Sequence, residues 1–271
     1  AHHLAKVRVA SSSLVIRSTI DRNSPQPRMR PGAIVLPMAI PSALNVDSLI
    51  GPTLAPGEPE LRAVTANTLF GGFARGGTSA ALGNNTDASL IAGLRDWADV
   101  ILVGAGTVAA EGYGPANTPM SVVSRSLELE PSLEIFRGSR LMVLAPESSL
   151  VDAQLRPRAA RLAGAGAEVH STGEGKPADI VATLRGLGFQ RILCEGGPSL
   201  YAAMLDADLI DVLHLTLDPT ISNQDGPFGL KLAGSGRYTR AFLLDDATVD
   251  ADSTLFCRYR RVPGGNGNAR R

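Results

Sequence analysis

The sequence predicts an α/β protein: a mixed, mainly parallel sheet with helices on both faces and antiparallel strands added at the C-terminal end. Three observations carry this. Residues 100–103 and 191–195 are apolar β-forming runs, and each leads straight into a glycine turn and a helix start. Strand-like and helix-like runs alternate as far as residue 211, the pattern of a parallel sheet. Beyond it, runs at 212–217, 241–245 and 254–261 follow one another without a helix, so they join antiparallel at one sheet edge.

Residues 1–45 carry Lys6, Arg8, Arg17, Arg22, Arg28 and Arg30 against Asp21 alone, among many Ser and Pro. They read as a disordered extension, the alternative being an Arg/Ser-rich targeting peptide. The folded domain is then 46–262, with 263–271 a disordered tail. Residues 46–60, with Pro52, Pro56 and Pro59, read as a lead-in loop. The first strand is 62–68. Leu69-Phe70-Gly71-Gly72 is a sharp turn, and residues 76–85 form a polar, glycine-rich loop. Thr86 or Asp87 caps a helix whose Leu90, Ile91, Leu94, Trp97 and Ala98 share one face, Trp97 being a core anchor. After the central strand, Thr107 caps a helix that Gly112-Tyr113-Gly114-Pro115 limits to about one turn. Residues 121–133 hold no convincing strand. A strand at 140–145, a helix at 153–162, a strand at 167–170 and a helix at 178–187 lead to the strand at 191–195. Gly197 suits the cap and Pro198 the first position of the next helix, where Leu200, Ala203, Met204 and Ala207 make one apolar stripe.

Composition narrows the function. Lys+Arg and Asp+Glu both number 26, so the formal net charge is zero, without the basic excess of a nucleic-acid or membrane-surface binder. Cys194 and Cys257 fall inside predicted strands and read as free thiols, not a disulfide or metal site. His2, His3, His170 and His214 have no metal-ligand spacing, so no metal is expected. No apolar run is long enough to span a bilayer.

The chemistry concentrates at the two strand–glycine–helix junctions. A strand's carboxyl end, a glycine turn and a helix N-terminus together suit phosphate oxygens. Two of them in one domain suggest one extended ligand, such as a dinucleotide, laid across adjacent strand ends. Gly104-Ala105-Gly106-Thr107-Val108-Ala109 matches the dinucleotide fingerprint literally. The broken helix and the missing second strand speak against a Rossmann unit, so only the phosphate junction is retained. There is no Ser-His-Asp order, HExxH, P-loop Lys or zinc-deaminase pattern. Hydride transfer suits what is left, since a cofactor carries the chemistry and the protein orients it.

Residues 62–72, Gly77-Thr78-Ser79, Asp87, Leu94-Arg95, the run 98–108, Glu111-Gly112-Tyr113 and Glu195-Gly196-Gly197-Pro198 share a further pattern. Leu209-Ile210-Asp211 and the run 215–219 continue it. On these residues the chain resembles the reductase domain of riboflavin biosynthesis, the RibD C-terminal family, within the dihydrofolate-reductase-like fold. The resemblance spans 58–261 and implies NADPH, a cytoplasmic homodimer, and a small-molecule substrate. The implied reaction is that of 5-amino-6-(5-phosphoribosylamino)uracil reductase, which reduces a ribosylamino side chain to ribitylamino. It puts Val103, Gly104, Ala105, Gly106, Thr107 and Val108 at the cofactor's phosphates. Glu195, Gly196, Gly197, Ser199 and Leu200 line its other side, with Asn84 and Asp87 approaching it. Asp87 can equally be a plain helix cap, and Glu195 a plain acceptor for backbone N–H groups at its turn. Asn67, Phe70 and Glu195 fall on the substrate side. One departure stands out. The family's first strand ends Ser-Leu-Asp-Gly, whereas here it reads Thr68-Leu69-Phe70-Gly71. Phe70 at the acid's position leaves two other readings open: a catalytically idle NADPH-binding homologue, or a reductase of another imine or a pterin.

Overall fold

The computed structural model describes residues 44–222, 228–232 and 239–266, and nine strands among them form one sheet. They are β1 (Glu60–Thr68), β2 (Val100–Gly104), β3 (Met120–Val123), β4 (Leu141–Ala145), β5 (Glu168–Ser171), β6 (Arg191–Gly196), β7 (Val212–Asp218), β8 (Arg240–Val249) and β9 (Leu255–Asn266). The order across the sheet is β5-β4-β3-β2-β6-β1-β7-β9-β8. All pairs are parallel except β7–β9 and β9–β8. The mainly parallel sheet with antiparallel C-terminal strands is as the sequence predicts. From β2 the chain steps outward through β3 and β4 to β5, then returns to place β6 between β2 and β1. The carboxyl ends of β2 and β6 therefore lie side by side, with Val103 opposite Gly196. Such a reversal of direction is where open α/β sheets bind ligands.

Seven α-helices flank the sheet among the described residues: α1 (Val46–Ile50), α2 (Asn85–Trp97), α3 (Ala105–Glu111), α4 (Glu147–Val151), α5 (Arg156–Gly164), α6 (Pro177–Gly186) and α7 (Pro198–Asp206). Alternation along each strand sorts the apolar side chains into layers. On one face Leu61, Leu102, Leu144 and Ile192 pack with Leu184 of α6 and Met204 of α7. On the other, Ile101, Val122 and Val143 meet Val108 of α3 and Leu162 of α5. Val64 and Leu193, on that same side of the sheet, meet Leu49 of α1 with Leu90 and Leu94 of α2. Each such side chain contributes about 1.5–3 kcal/mol, so the layers hold the sheet without a crosslink. Cys194 and Cys257 are both free and buried.

Several local expectations are corrected. The stretch read as a lead-in loop contains α1: the Asn45 side chain accepts from the Asp47 N–H, and Leu49 is buried against α2. Helix α2 is capped by Asn84, not by Thr86 or Asp87, whose N–H groups donate to its side chain at 3.0 and 3.3 Å. Helix α3 begins one turn earlier than expected, with Gly104 at its cap, and ends at Gly112 in the left-handed region. Residues 120–123 form a strand after all. Ser121 interrupts its apolar run, yet the side chain is fully buried because its hydroxyl donates to the Ile101 carbonyl at 3.0 Å. The 153–162 helix begins instead at Arg156, after the separate short α4. The last strand runs on to Asn266, into the stretch read as a tail. Residues 1–43 of the expected extension, and 267–271, lie outside the described residues.

The N-terminal segment is held by arginines. Arg62 is fully buried, and its guanidinium donates to Glu60 Oε2 at 3.0 and 3.1 Å and to the carbonyls of Ile50 and Pro52 at 2.7 and 2.8 Å. It also lies 4.6 Å from the Trp97 ring centroid. Arg258 binds Asp245 at 2.9 Å and the carbonyls of Ser48 and Leu49 at 2.8 and 2.9 Å.

Candidate active site

A cleft of about 940 Å³ opens at the carboxyl ends of β1, β2 and β6. Gly104, Gly106 and Thr107 supply one wall, and Glu195, Gly197, Pro198, Ser199 and Leu200 the wall beside it. The two turns touch. A Cβ on Gly104 would lie 3.6 Å from the Gly196 carbonyl oxygen, and a Cβ on Gly197 only 2.4 Å from Thr107 Oγ1. The third side is α2, through Asn84, Asn85, Asp87, Ala88, Ile91 and Arg95. Parts of the loop before α2, including Gly77, Ser79 and Gly83, lie over it. Glu111 accepts from the Ser79 N–H at 2.8 Å and fastens that loop to the end of α3.

Three carboxyl groups face the cleft, and their surroundings differ. Glu195, whose side chain is 6% exposed, takes a bidentate pair from Arg95 at 2.6 and 2.7 Å and a hydrogen bond from the Tyr113 hydroxyl at 2.8 Å. Its partners are thus two side chains, not the backbone N–H groups of its own turn. The Arg95 guanidinium also lies 5.5 Å from the Tyr113 ring centroid. The hydrogen bond to Glu195 pushes the Arg95 pKa up, against its own burial. Burial, then the Glu195 charge, pushes the Tyr113 pKa up, so this hydroxyl remains a donor. Glu111 holds the loop. Asp87 forms no ion pair among the described residues and packs against Gly83 of that loop: Thr216 Oγ1 donates to its Oδ1 at 2.6 Å, and burial raises its pKa.

Nine of the sequence-predicted residues line this cleft: Asn84, Asp87, Gly104, Gly106, Thr107, Glu195, Gly197, Ser199 and Leu200. Asn84 is already occupied on both sides of its amide, capping α2 and donating to Asp250 at 2.6 Å and to Asp252 at 3.1 Å. Val103 and Val108 are buried in the layer between sheet and α3, and Ala105 packs against it. Gly196 lies in the turn with a φ of 81°, and a Cβ there would strike the Tyr201 ring. Asn67 is buried on β1 with its side chain accepting from Thr65 at 3.2 Å. Phe70 is 81% exposed and is not among the residues lining the cleft. Sequence reasoning quoted Arg95, Glu111 and Tyr113 but gave them no role. A charged residue beside the apolar stripe of α2 was the available signal for Arg95.

The Phe70 placement changes an expectation. Instead of standing on the substrate side, Phe70 presents its ring to solvent. Phe70→Asp should leave NADPH affinity unaltered and stability within about 0.5 kcal/mol, read by fluorescence titration and urea unfolding. A rise in reductase activity would return residue 70 to the substrate site.

Residues 59–228 match the model of the RibD C-terminal domain. The chain belongs to the RibD C-terminal domain family. Among solved structures it is similar to a pyrimidine reductase-like protein from Corynebacterium diphtheriae, with 28% identity and a TM-score of 0.68 over 80% of this chain and 98% of that one. An Acinetobacter baumannii RibD shares the fold at 19% identity and a TM-score of 0.60. The match covers 80% of this chain and 62% of that RibD. The riboflavin biosynthesis reductase of Saccharomyces cerevisiae shares the fold at 15% identity and a TM-score of 0.56, over 79% of this chain and 94% of that one. No curated protein matches the sequence. The mixed, mainly parallel sheet with antiparallel C-terminal strands is the one the resemblance implied, and the family is one of reductases. Among the described residues, no group of His, Cys, Asp and Glu is arranged to hold a metal, and no helix is long and apolar enough to cross a membrane.

Proposed function

We propose that this RibD C-terminal domain is an NADPH-dependent reductase of a pyrimidine riboside phosphate, of the 5-amino-6-(5-phosphoribosylamino)uracil reductase type. The observation that carries the reading is the joining of two glycine turns, at β2 and β6, in one cleft large enough for a dinucleotide and a small substrate. The fit to the cofactor rests on the turns themselves. Nothing lies within 4 Å of where a Cβ on Gly106 would stand, so a ligand can approach the bare backbone there. Gly106 and Thr107 in the first turn of α3 and Ser199 in the first turn of α7 line the same opening, Pro198 bringing no N–H of its own. In this reading Gly104, Gly106, Thr107, Gly197 and Ser199 hold the phosphates. Bound NADPH supplies a hydride. Leu200 and Ile91 exclude water beside it, and the Arg95–Glu195–Tyr113 group fixes the β6 turn. The names of the Corynebacterium and Acinetobacter relatives, a pyrimidine reductase-like protein and a RibD, support the substrate class. A homodimer completes the proposal. Strand β8 is one of the two edge strands of the sheet and leaves Leu243 and Leu244 exposed.

The idle-homologue reading rested on Phe70, and that residue is not part of the cleft, whose three carboxyls remain in place. The test is NADPH oxidation with the pyrimidine riboside phosphate, beside fluorescence titration with NADPH and NADH. Turnover with product carrying the ribityl chain is expected. Tight NADPH binding without turnover on this substrate or on another imine would establish the idle homologue instead.

A further inference from the structure

We infer that this cleft selects its substrate by the ring and the sugar and not by a phosphate: the unphosphorylated pyrimidine riboside is its better substrate, and the 5′-phosphate is reduced without being gripped. The inference rests on the reductase reading above and narrows its substrate class.

A phosphate monoester carries a charge of about −2 at neutral pH, and a site that recognises one meets it with arginine, lysine or free backbone N–H groups. The charged residues lining the cleft are Asp87, Arg95, Glu111 and Glu195. Arg95 is therefore the one cation among the described lining residues, and it is committed: its Nε and Nη2 bind the two oxygens of Glu195 at 2.6 and 2.7 Å. Turning it toward a phosphate would leave Glu195, whose side chain is 6% exposed, with the Tyr113 hydroxyl alone. Glu111 and Glu195 against Arg95 make an excess of one negative charge, and Asp87 adds a second when it is ionised. Arg75 follows Ala74 of the cleft wall but does not itself line the cleft. Its guanidinium donates to the Ala81 carbonyl and, at 3.4 Å, to Thr220 Oγ1, with Asp218 3.9 Å away.

The backbone donors on the side formed by β1, α2 and the loop before α2 are occupied as well. The Ser79 N–H goes to Glu111 at 2.8 Å. At the start of α2 the Thr86 and Asp87 N–H groups go to Asn84 Oδ1, and the Ala88 N–H to the Asn84 carbonyl at 2.9 Å. The donors of the two glycine turns are those that the reading above gives to the cofactor. What this side offers instead is apolar surface from Val64, Phe73, Leu82 and Ile91, with Phe73 stacked on Tyr201 at 6.2 Å between ring centroids. Such a wall suits a flat pyrimidine ring, and carboxyls suit the amino and sugar hydroxyl groups, which are donors. A phosphate meets like charge there and no partner, so the cleft discriminates against it by repulsion.

The test compares the riboside with its 5′-phosphate in NADPH oxidation by the full chain at saturating NADPH. The riboside is expected to have the higher kcat/KM, by about tenfold at low ionic strength. Added salt should narrow that gap by raising the value for the phosphate, because screening weakens the repulsion of a dianion and leaves a neutral riboside untouched. Arg95→Gln and Arg75→Gln are each expected to change kcat/KM for the two compounds by a common factor, since neither guanidinium meets the phosphate. An equal or higher value for the phosphate overturns the inference and leaves the reductase reading standing. So does a value for the phosphate that falls with salt while that for the riboside holds, or a variant that loses the phosphate selectively. A protein that binds NADPH and reduces neither compound overturns the reductase reading for this substrate, and the inference falls with it.

Discussion

Arg62→Ala is expected to destabilise the protein by about 3–5 kcal/mol, the usual cost of removing one partner of a buried ion pair. Arg62 is fully enclosed, and three kinds of partner depend on it. Glu60, itself 1% exposed, would lose both of its bonds to the guanidinium and keep only Arg260, at 3.5 Å. The Ile50 and Pro52 carbonyls would lose their donor. The Trp97 ring would lose the cation above it. Burial already pulls the Arg62 pKa down, with Glu60 pulling it back up, so the pair is held by geometry as much as by charge. Replacing Glu60 and Arg62 together by apolar residues of similar volume should cost much less than Arg62→Ala, because no charge is then stranded. The two carbonyls would still be short of a donor, so the double variant should not reach wild-type stability. Urea unfolding checks both. A loss under 1 kcal/mol for Arg62→Ala would mean that the segment around α1 is not docked on the sheet in solution.

That clamp explains why the beginning of the fold was illegible in the sequence. Residues 46–60 carry three prolines, and a five-residue helix has no stability of its own. It forms because Leu49 finds Leu90 and Leu94, and because Arg258 reaches its carbonyls from some two hundred residues away in sequence. Strand β3 was missed for a related reason. A serine inside a buried run reads as a break until the Ile101 carbonyl of the neighbouring strand is seen to accept its hydroxyl. What was legible is what local chemistry decides. Buried strands ending in glycine, the Gly197-Pro198 cap and three consecutive strands at the end all declare themselves within a few residues. The candidate site divides along the same line. Its glycine walls belong to contiguous motifs. The Arg95–Glu195–Tyr113 group joins α2, β6 and the turn after α3, and Asp87 of α2 meets Thr216 of β7 from 129 residues away in sequence, so no local pattern announces either.

Gly197→Val is expected to abolish NADPH binding while leaving the fold in place. The backbone at Gly197 is extended, with φ −70° and ψ −168°, so a side chain is tolerated there by the main chain itself. The obstacle is what the side chain meets. Its Cβ would stand 2.4 Å from Thr107 Oγ1, and the two valine methyl groups extend further into the junction where both turns face the cleft. Thr107 must then turn away, which costs little stability but fills the space in which a phosphate would approach the backbone. Gly104 differs. A Cβ there lies at ordinary contact distance, 3.6 Å from the Gly196 carbonyl oxygen and 3.9 Å from the Gly197 nitrogen, so Gly104→Ala should bind NADPH with little loss. Gly104→Val adds methyl groups toward that same carbonyl and should lose binding as Gly197→Val does. Fluorescence titration with NADPH, with far-ultraviolet circular dichroism to follow the fold, separates these outcomes. Unaltered affinity in both valine variants would place the cofactor away from the two turns, and with it the whole reading of the cleft.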